Sequence, residues 1–287
     1  MTRIGVLGTG LMGAPIAGRL LSAGSPVTVY NRTISKTTNL AAQGATVATD
    51  VAALFTATEV VVLMLTDAEA IAALLFANDV PLVGKTIIQM GTIAPQESQA
   101  LHDQVAQRGG EYLEAPVLGS IPEAQSGNLI IMVGASEPQF QRWRPLLQTL
   151  GPAPCYIGPV GQAAAVKLAL NQLIASLTTA FGLSLALIQQ AGVDSAAFME
   201  ILRSSALYAP TFDKKLSRML EGNYRNPNFP VKHLLKDVNL FAQAAEAAQI
   251  SAGLMTPIAA LLEQTMAADL GDADYSALFS QITPQSP

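Results

Sequence analysis

The chain has 287 residues, enough for two domains with cores of their own, and carries 16 Lys and Arg against 21 Asp and Glu, for a formal net charge of −5. No basic run or face stands out, which argues against a nucleic-acid binder and against attraction to an anionic membrane surface. One cysteine, Cys155, and two histidines far apart in sequence, His102 and His233, leave no internal disulfide and no set of zinc ligands.

Residues 3–36, RIGVLGTGLMGAPIAGRLLSAGSPVTVYNRTISK, read as strand, tight turn, helix and second strand. No basic leader, apolar targeting segment or transit stretch precedes the first strand, so a cytoplasmic location is the expectation. Ile4 to Leu7 suit a buried parallel strand, and Gly8, Gly10 and Gly13 follow at G-x-G-x-x-G spacing as helical periodicity begins. Gly8 permits the sharp turn, Gly10 lets the backbone come close to a pyrophosphate, and Gly13 lets the helix pack on the strand with its N-terminus aimed at the anion. The unit predicts a dinucleotide site; the plainer reading is a βαβ turn without ligand.

The second strand, Val27 to Tyr30, should end at the adenosine ribose, where an NAD-selective site places Asp or Glu on the 2′-hydroxyl. Here the residues are Asn31, Arg32 and Thr33, followed by Ser35 and Lys36. A guanidinium, two hydroxyls and an ammonium can surround a 2′-phosphate, and no carboxylate repels it, so NADPH is expected in preference to NADH. The alternative is that Arg32 and Lys36 are solvated turn charges.

Short apolar runs then alternate with helical stretches, the pattern of a parallel sheet covered on both faces. Strands are expected at Val60 to Leu65, Thr86 to Met90, Tyr112 to Ala115, Leu129 to Val133 and near Cys155 to Ile157. Helices are expected from Asp67 to about Asn78, from Pro95 to about Arg108, and from about Pro138 to Leu150. Residues 114–129, EAPVLGSIPEAQSGNL, leave a strand and enter a loop in which Gly119 and Ser120 can present backbone N–H groups to a carboxylate; a plain surface loop fits equally.

Gly158-Pro159-Val160-Gly161 marks a boundary, after which strand signals cease. The fold class is therefore an α/β Rossmann-type doubly wound domain over residues 1–161, followed by an all-α domain over residues 162–287. The first helix of the second domain, about Gln162 to Ala191, has no charge between Lys167 and Asp194. Its length would cross a bilayer, but Asn171, Gln172, Ser176, Thr178 and Thr179 interrupt it and no basic flank sets an orientation, so a buried central helix is expected. With charged residues at 13% and a mean hydropathy of +0.36, the chain has little polar surface to spare, and a homodimer or homotetramer would cover the excess.

Lys167 and Asn171 lie four apart on one face of that helix. If that face closes over the carboxyl ends of the strands, the Lys167 ammonium can stabilise and protonate a carbonyl oxygen that gains charge as hydride arrives. A lysine that merely reaches water from a buried helix is the alternative. Residues 229–237, FPVKHLLKD, place Lys232, Lys236 and Asp237 at helical spacing, which by itself reads as a solvated helix face.

Together these segments resemble the β-hydroxyacid dehydrogenase family, the group of 3-hydroxyisobutyrate dehydrogenase and its relatives, along the full length of the chain. The family's cofactor signature matches LGTGLMGAPIA from Leu7 to Ala17, its substrate loop matches EAPVLGS, and its catalytic segment matches GPVGQAAAVKLALN from Gly158 to Asn171. The resemblance implies that Lys167 is the essential lysine, that Asn171 binds substrate, that Lys236 approaches the cofactor with Asp237 supporting the site, and that Thr92 lies near the nicotinamide. The cofactor contacts so expected are Gly8, Gly10, Leu11, Met12, Gly13, Asn31, Arg32, Thr33, Lys36, Leu65, Thr92 and Lys236. Those for substrate are Leu118, Gly119, Ser120, Asn171 and Asp237.

Within the family, EAPV-x-GS, FP-x-KH-x-x-KD and GDADYSALF are most similar to the glyoxylate/succinic semialdehyde reductases. Leu118 departs from them where they commonly carry serine. The implied activity is NADPH-dependent reduction of small aldehyde acids to hydroxy acids, with oxidation of a 3-hydroxyisobutyrate-type acid as the same chemistry in reverse. A non-catalytic NADP-binding scaffold is the reading from another class, and the retention of Lys167 with Asn171 argues against it.

Overall fold

The computed structural model describes residues 1–76 and 80–282. The predicted helix end near Asn78 and residues 283–287 of the predicted second domain lie outside them. The chain forms two compact units, Met1–Lys167 and Leu168–Pro287.

The first unit runs β1 (Ile4–Leu7), α1 (Gly13–Ser22), β2 (Val27–Tyr30), a 3-10 turn (Ile34–Thr37), α2 (Thr38–Ala42), β3 (Thr46–Val47), α3 (Val51–Ala57), β4 (Val60–Leu63) and α4 (Ala68–Phe76). It continues with β5 (Thr86–Gln89), α5 (Pro95–Gln107), β6 (Glu111–Glu114), β7 (Val117–Leu118), α6 (Ile121–Ser126), β8 (Ile130–Gly134), α7 (Glu137–Leu147), β9 (Cys155–Gly158) and the start of α8 (Gln162–Gln190). Residues 117–126, expected as loop, thus hold a short strand and a short helix.

The sheet order is β3-β2-β1-β4-β5-β6-β8-β7, with β9 beside β8; β3 through β6 are parallel, and β8 runs antiparallel to β6 and β7. Strands β1, β4 and β5 are buried at every residue, because helices cover both faces. Val60 and Val62 of β4 join one core layer with Ile16 and Leu20 of α1, while Val61 and Leu63 join the other with Leu54, Phe55 and Leu101. Alternate side chains of one apolar run therefore build two cores.

The second unit is helical: the remainder of α8, then α9 (Ser195–Ser204), α10 (Pro210–Glu221), α11 (Val231–Ala247), α12 (Met255–Thr265), a 3-10 turn (Tyr275–Leu278) and α13 (Phe279–Ile282). Ala175, Leu234, Val238, Ile258 and Leu262 form one of its cores, and Phe181, Leu185, Met199, Phe212 and Met219 another. A buried ion pair joins Lys215 Nζ to both carboxylate oxygens of Asp274 at 2.9 and 2.8 Å.

Helix α8 is long and apolar enough to cross a membrane by length and composition. Its burial is nevertheless one-sided. Leu168, Asn171, Ala175, Thr178, Phe181 and Leu185 are buried at helical spacing, while Leu173, Leu183 and Leu187 are exposed, the last at 68%. Within one chain it is a buried stripe with an apolar outer face.

Candidate active site

The last residues of five neighbouring strands stand in one row. Leu7 pairs with Tyr30 on one side and Leu63 on the other, Leu63 with Gln89, and Gln89 with Glu114. Strand order reverses between β1 and β4, so the turns leaving them open a crevice at this edge, the position where doubly wound sheets take ligands.

Each glycine of the turn after β1 has its own reason. Gly8 sits at φ +95°, where an added Cβ would meet the Met64 carbonyl and lie 3.1 Å from Leu65 Cδ2. A Cβ on Gly13 would lie 2.9 Å from the Gly8 carbonyl carbon and nearer still to its oxygen, so the helix can approach the turn only without one. Gly10 differs: its Cβ would meet nothing within 4 Å, and its φ is not left-handed. Protein packing leaves Gly10 unexplained, and a pyrophosphate drawn against the backbone explains it. The N-terminus of α1 fits that anion, having no side-chain cap and no acid in its first turn.

Asn31 couples the turn to the end of β2. Its Oδ1 accepts the Thr9 N–H at 3.1 Å and its Nδ2 donates to the Thr33 carbonyl at 3.0 Å, while Thr9 Oγ1 donates to the Lys36 carbonyl at 3.2 Å. Arg32, Thr33 and Lys36 are exposed, as a reader of an incoming phosphate must be, and Leu11 and Met12 continue the turn as exposed and half-buried residues. Leu65 stands between the Gly8 turn and Gly91, whose Cβ would lie 2.6 Å from the Leu65 carbonyl. Thr92 follows half-buried, beyond a loop that Gln89 holds through its hydrogen bonds with the Gly91 N–H and carbonyl.

In the segment after β6 the structure changes the expected picture. Ser120 donates both its N–H and its Oγ hydroxyl to Glu123 Oε2, at 2.8 and 2.7 Å, as the capping box of α6. The Ser120 N–H is therefore held by Glu123, not presented to a substrate carboxylate. Gly119 has a left-handed φ of +128°, and Leu118, half-buried, closes β7 by pairing with Ile130.

Glu114, at the head of this segment, is 1% exposed and was given no role by the sequence reading. Its Oε1 accepts the N–H groups of Gly161, Ala163 and Ala164 at 2.8, 2.9 and 3.1 Å, the first turn of α8. Its other oxygen takes the Ser98 hydroxyl, which also meets Tyr112 Oη at 2.9 Å. Burial raises the Glu114 carboxyl above the usual carboxylate value, and the donors from Ser98, Ala164, Gly161 and Ala163 pull it back.

Lys167 lies half-buried on α8, one turn before the buried Asn171. Asn171 and Asp237, far apart in sequence, are brought together: Asn171 Nδ2 donates to Asp237 Oδ2 at 2.5 Å. Asp237 is 3% exposed, and Lys236 Nζ stands 2.9 Å from its Oδ1. The FPVKHLLKD segment is thus no solvated face: Asp237 turns inward and only Lys232 of its charges is exposed. Burial, with Lys232 and Lys236 nearby, holds the His233 imidazole below its ordinary value. A fixed amide, a carboxylate that fixes it and a lysine one turn away form a set able to orient a carbonyl compound and deliver a proton.

Comparison with known proteins identifies the family. Residues 3–160 match the family described as the NAD binding domain of 6-phosphogluconate dehydrogenase, and residues 161–282 that described as NAD-binding of NADP-dependent 3-hydroxyisobutyrate dehydrogenase. Glyoxylate/succinic semialdehyde reductase 1 of Arabidopsis thaliana is 31% identical over 283 residues, spanning 97% of this chain and 98% of that protein. A 3-hydroxyisobutyrate dehydrogenase of Mycobacterium tuberculosis, solved with L-serine, has the same fold, with a TM-score of 0.89 at 24% identity over 99% of this chain and 100% of that one. A protein titled Psf3, solved with NADP+ and 2-OPP, superposes with a TM-score of 0.86 at 27% identity over 98% and 100% of the two chains.

Proposed function

The chain belongs to the β-hydroxyacid dehydrogenase family, of 3-hydroxyisobutyrate dehydrogenase type, and we propose that within it the protein is an NADPH-dependent reductase of small aldehyde acids such as glyoxylate or succinic semialdehyde. The observation that carries the reading is the buried Asn171–Asp237 bond one helical turn beyond Lys167. A fold of this kind needs no such pair for its core, whereas a carbonyl reductase needs a fixed amide beside a proton donor.

Gly8, Gly10, Leu11, Met12 and Gly13 would hold the pyrophosphate at the N-terminus of α1, with Leu65, Thr92 and Lys236 toward the nicotinamide. Arg32, Thr33 and Lys36 would take the 2′-phosphate, which favours NADPH. When bound, the dinucleotide supplies the hydride. Lys167 Nζ offsets the negative charge that grows on the substrate oxygen and then gives it a proton. Asn171 orients the substrate, and Asp237 keeps the Asn171 amide from rotating. Gly119 and Leu118 line the loop that faces the substrate carboxylate. Oxidation of a 3-hydroxy acid uses the same residues in reverse, and the 3-hydroxyisobutyrate dehydrogenase match over residues 161–282 favours it as the second reading.

The exposed Leu173, Leu183 and Leu187 on α8 support a homo-oligomer, a homodimer or homotetramer, which light scattering would report as a mass above one chain. The mechanism is tested by Lys167→Ala with NADPH and a panel of aldehyde acids. Turnover should fall at least about a hundredfold while NADPH affinity stays as it was. Near-normal kcat in that variant would overturn the reading.

A further inference from the structure

We propose that Glu114 is a positioning residue for the proton donor: from the end of β6 it fixes where the first turn of α8, and with it Lys167, stands over the edge of the sheet. The proposal rests on the reading of Lys167 as that donor. Three observations carry it.

First, the way α8 is capped is not the cheap one. A helix N-terminus is ordinarily satisfied by a Ser, Thr, Asp or Asn at its own cap, which stabilises the helix wherever the helix lies. Here the residue before α8 is Gly161, with no side chain, and the acceptor comes from Glu114, 47 to 50 residues earlier. A remote cap ties the helix to a place; a local one does not.

Second, the carboxylate is costly where it is. It is 1% exposed, and among the described residues no cation pairs with it. Burying such a group disfavours folding unless its donors are well placed. Four donors are supplied, two from the α8 backbone, one from Gly161 just before it and one from Ser98. Space is kept for it as well, since a Cβ on Gly134 would lie 2.7 Å from Glu114 Cγ.

Third, the tied turn is the one that leads to Lys167. Ala164, the last residue Glu114 holds, is three residues before it on the same helix. Glu114 is also the strand residue from which Ala115 to Ser120 depart, so the substrate loop and the proton donor share one anchor. Misplacing a reacting group by about 1 Å can cost about a hundredfold in rate, so the anchor has a kinetic consequence.

The experiment compares Glu114→Ala, Glu114→Gln and Lys167→Ala, with the Glu114→Ala/Lys167→Ala double variant. Glu114→Ala should lower kcat by about tenfold or more, leave KM for NADPH and for the aldehyde acid within about threefold, and speed amide hydrogen exchange at residues 161, 163 and 164. Glu114→Gln keeps a carbonyl oxygen toward the three N–H groups and should recover most of the lost kcat. The double variant should be no slower than Lys167→Ala alone, because both changes remove one contribution. If Glu114→Ala does not fold, Glu114→Asp, one methylene shorter, should give the same fall in kcat at unchanged KM.

A folded Glu114→Ala enzyme with full kcat, or losses that multiply in the double variant, would overturn the proposal. Normal turnover in Lys167→Ala would instead defeat the assignment of the donor, and hydrogen exchange at residues 161–164 would still decide the clamp.

Discussion

Two glycines three residues apart, Gly10 and Gly13, should behave oppositely, and the contrast separates the demands of the fold from those of the ligand. In Gly13→Ala the new methyl would lie 2.9 Å from the Gly8 carbonyl carbon, against an ordinary carbon–carbon contact of about 3.5–4.0 Å, so α1 must retreat by at least about 0.6 Å. Overpacking of this kind costs about 1–3 kcal/mol, which in a unit of this size lowers Tm by about 2–12 °C. In Gly10→Ala the methyl meets nothing within 4 Å, and the chain entropy lost by the unfolded state leaves stability level or raises it by up to about 1 kcal/mol. In the proposed site the same methyl would occupy the space of the pyrophosphate. Losing one charge-assisted hydrogen bond, about 1.5–3 kcal/mol, weakens NADPH roughly 10- to 100-fold. The assay is a thermal melt with and without NADPH. Gly10→Ala should match or exceed the wild-type Tm alone yet lose most of the ligand-induced rise, while Gly13→Ala should already melt low without ligand. A Gly10→Ala protein that melts several degrees low without ligand, or keeps the full NADPH shift, would refute the assignment of Gly10 to the cofactor.

Arg32→Asp should weaken NADPH far more than NADH, since the exposed guanidinium is replaced by a repelling carboxylate while the Asn31–Thr9 link stays intact; equal losses in titrations of both cofactors would make Arg32 a structural residue. Leu118→Ser restores a hydroxyl worth about 1–3 kcal/mol, so kcat/KM for glyoxylate should rise about tenfold and rise less for longer or branched acids; steady-state kinetics that leave glyoxylate unchanged would place Leu118 away from the carboxylate. His233, held below its ordinary value in the folded protein, contributes stability that is fully present above about pH 6.5 and is lost as pH falls through the lower folded value. Urea midpoints between pH 7.5 and 5 should therefore decline less steeply in His233→Gln than in the wild type, and identical slopes would show that His233 is not strained in this way.

Much of the first unit was legible because its signals are local. Four-residue apolar runs, glycine spacing and Pro95 at a helix start give β1, β4, β5 and α5 to within a residue or two. Strand β3, two exposed residues, carries too little pattern to be seen, and α6 is only six residues long, although Ser120-Ile121-Pro122-Glu123 spells a capping box that could have revealed it. Lys167 and Asn171 could be paired by helical spacing, but the partner of Asn171 lies 66 residues away, and periodicity alone left Asp237 on a solvated face. Glu114 was unreadable for another reason. Its partners at the start of α8 are backbone N–H groups, which leave no mark in the residue types at Gly161, Ala163 and Ala164.

The segment from Ala115 to Gly119 is bracketed by two carboxylates, Glu114 gripping the start of α8 at one end and Glu123 gripping Ser120 at the other. Neither grip involves a side chain of the five residues between. Ala115, Pro116 and Val117 are buried and Gly119 is left-handed, so within the interval the half-buried position 118 is the one open to change, and leucine or serine there leaves the frame alone while altering what the frame presents. A library for altered substrate preference is therefore best confined to position 118, where a substitution removes no residue of the core.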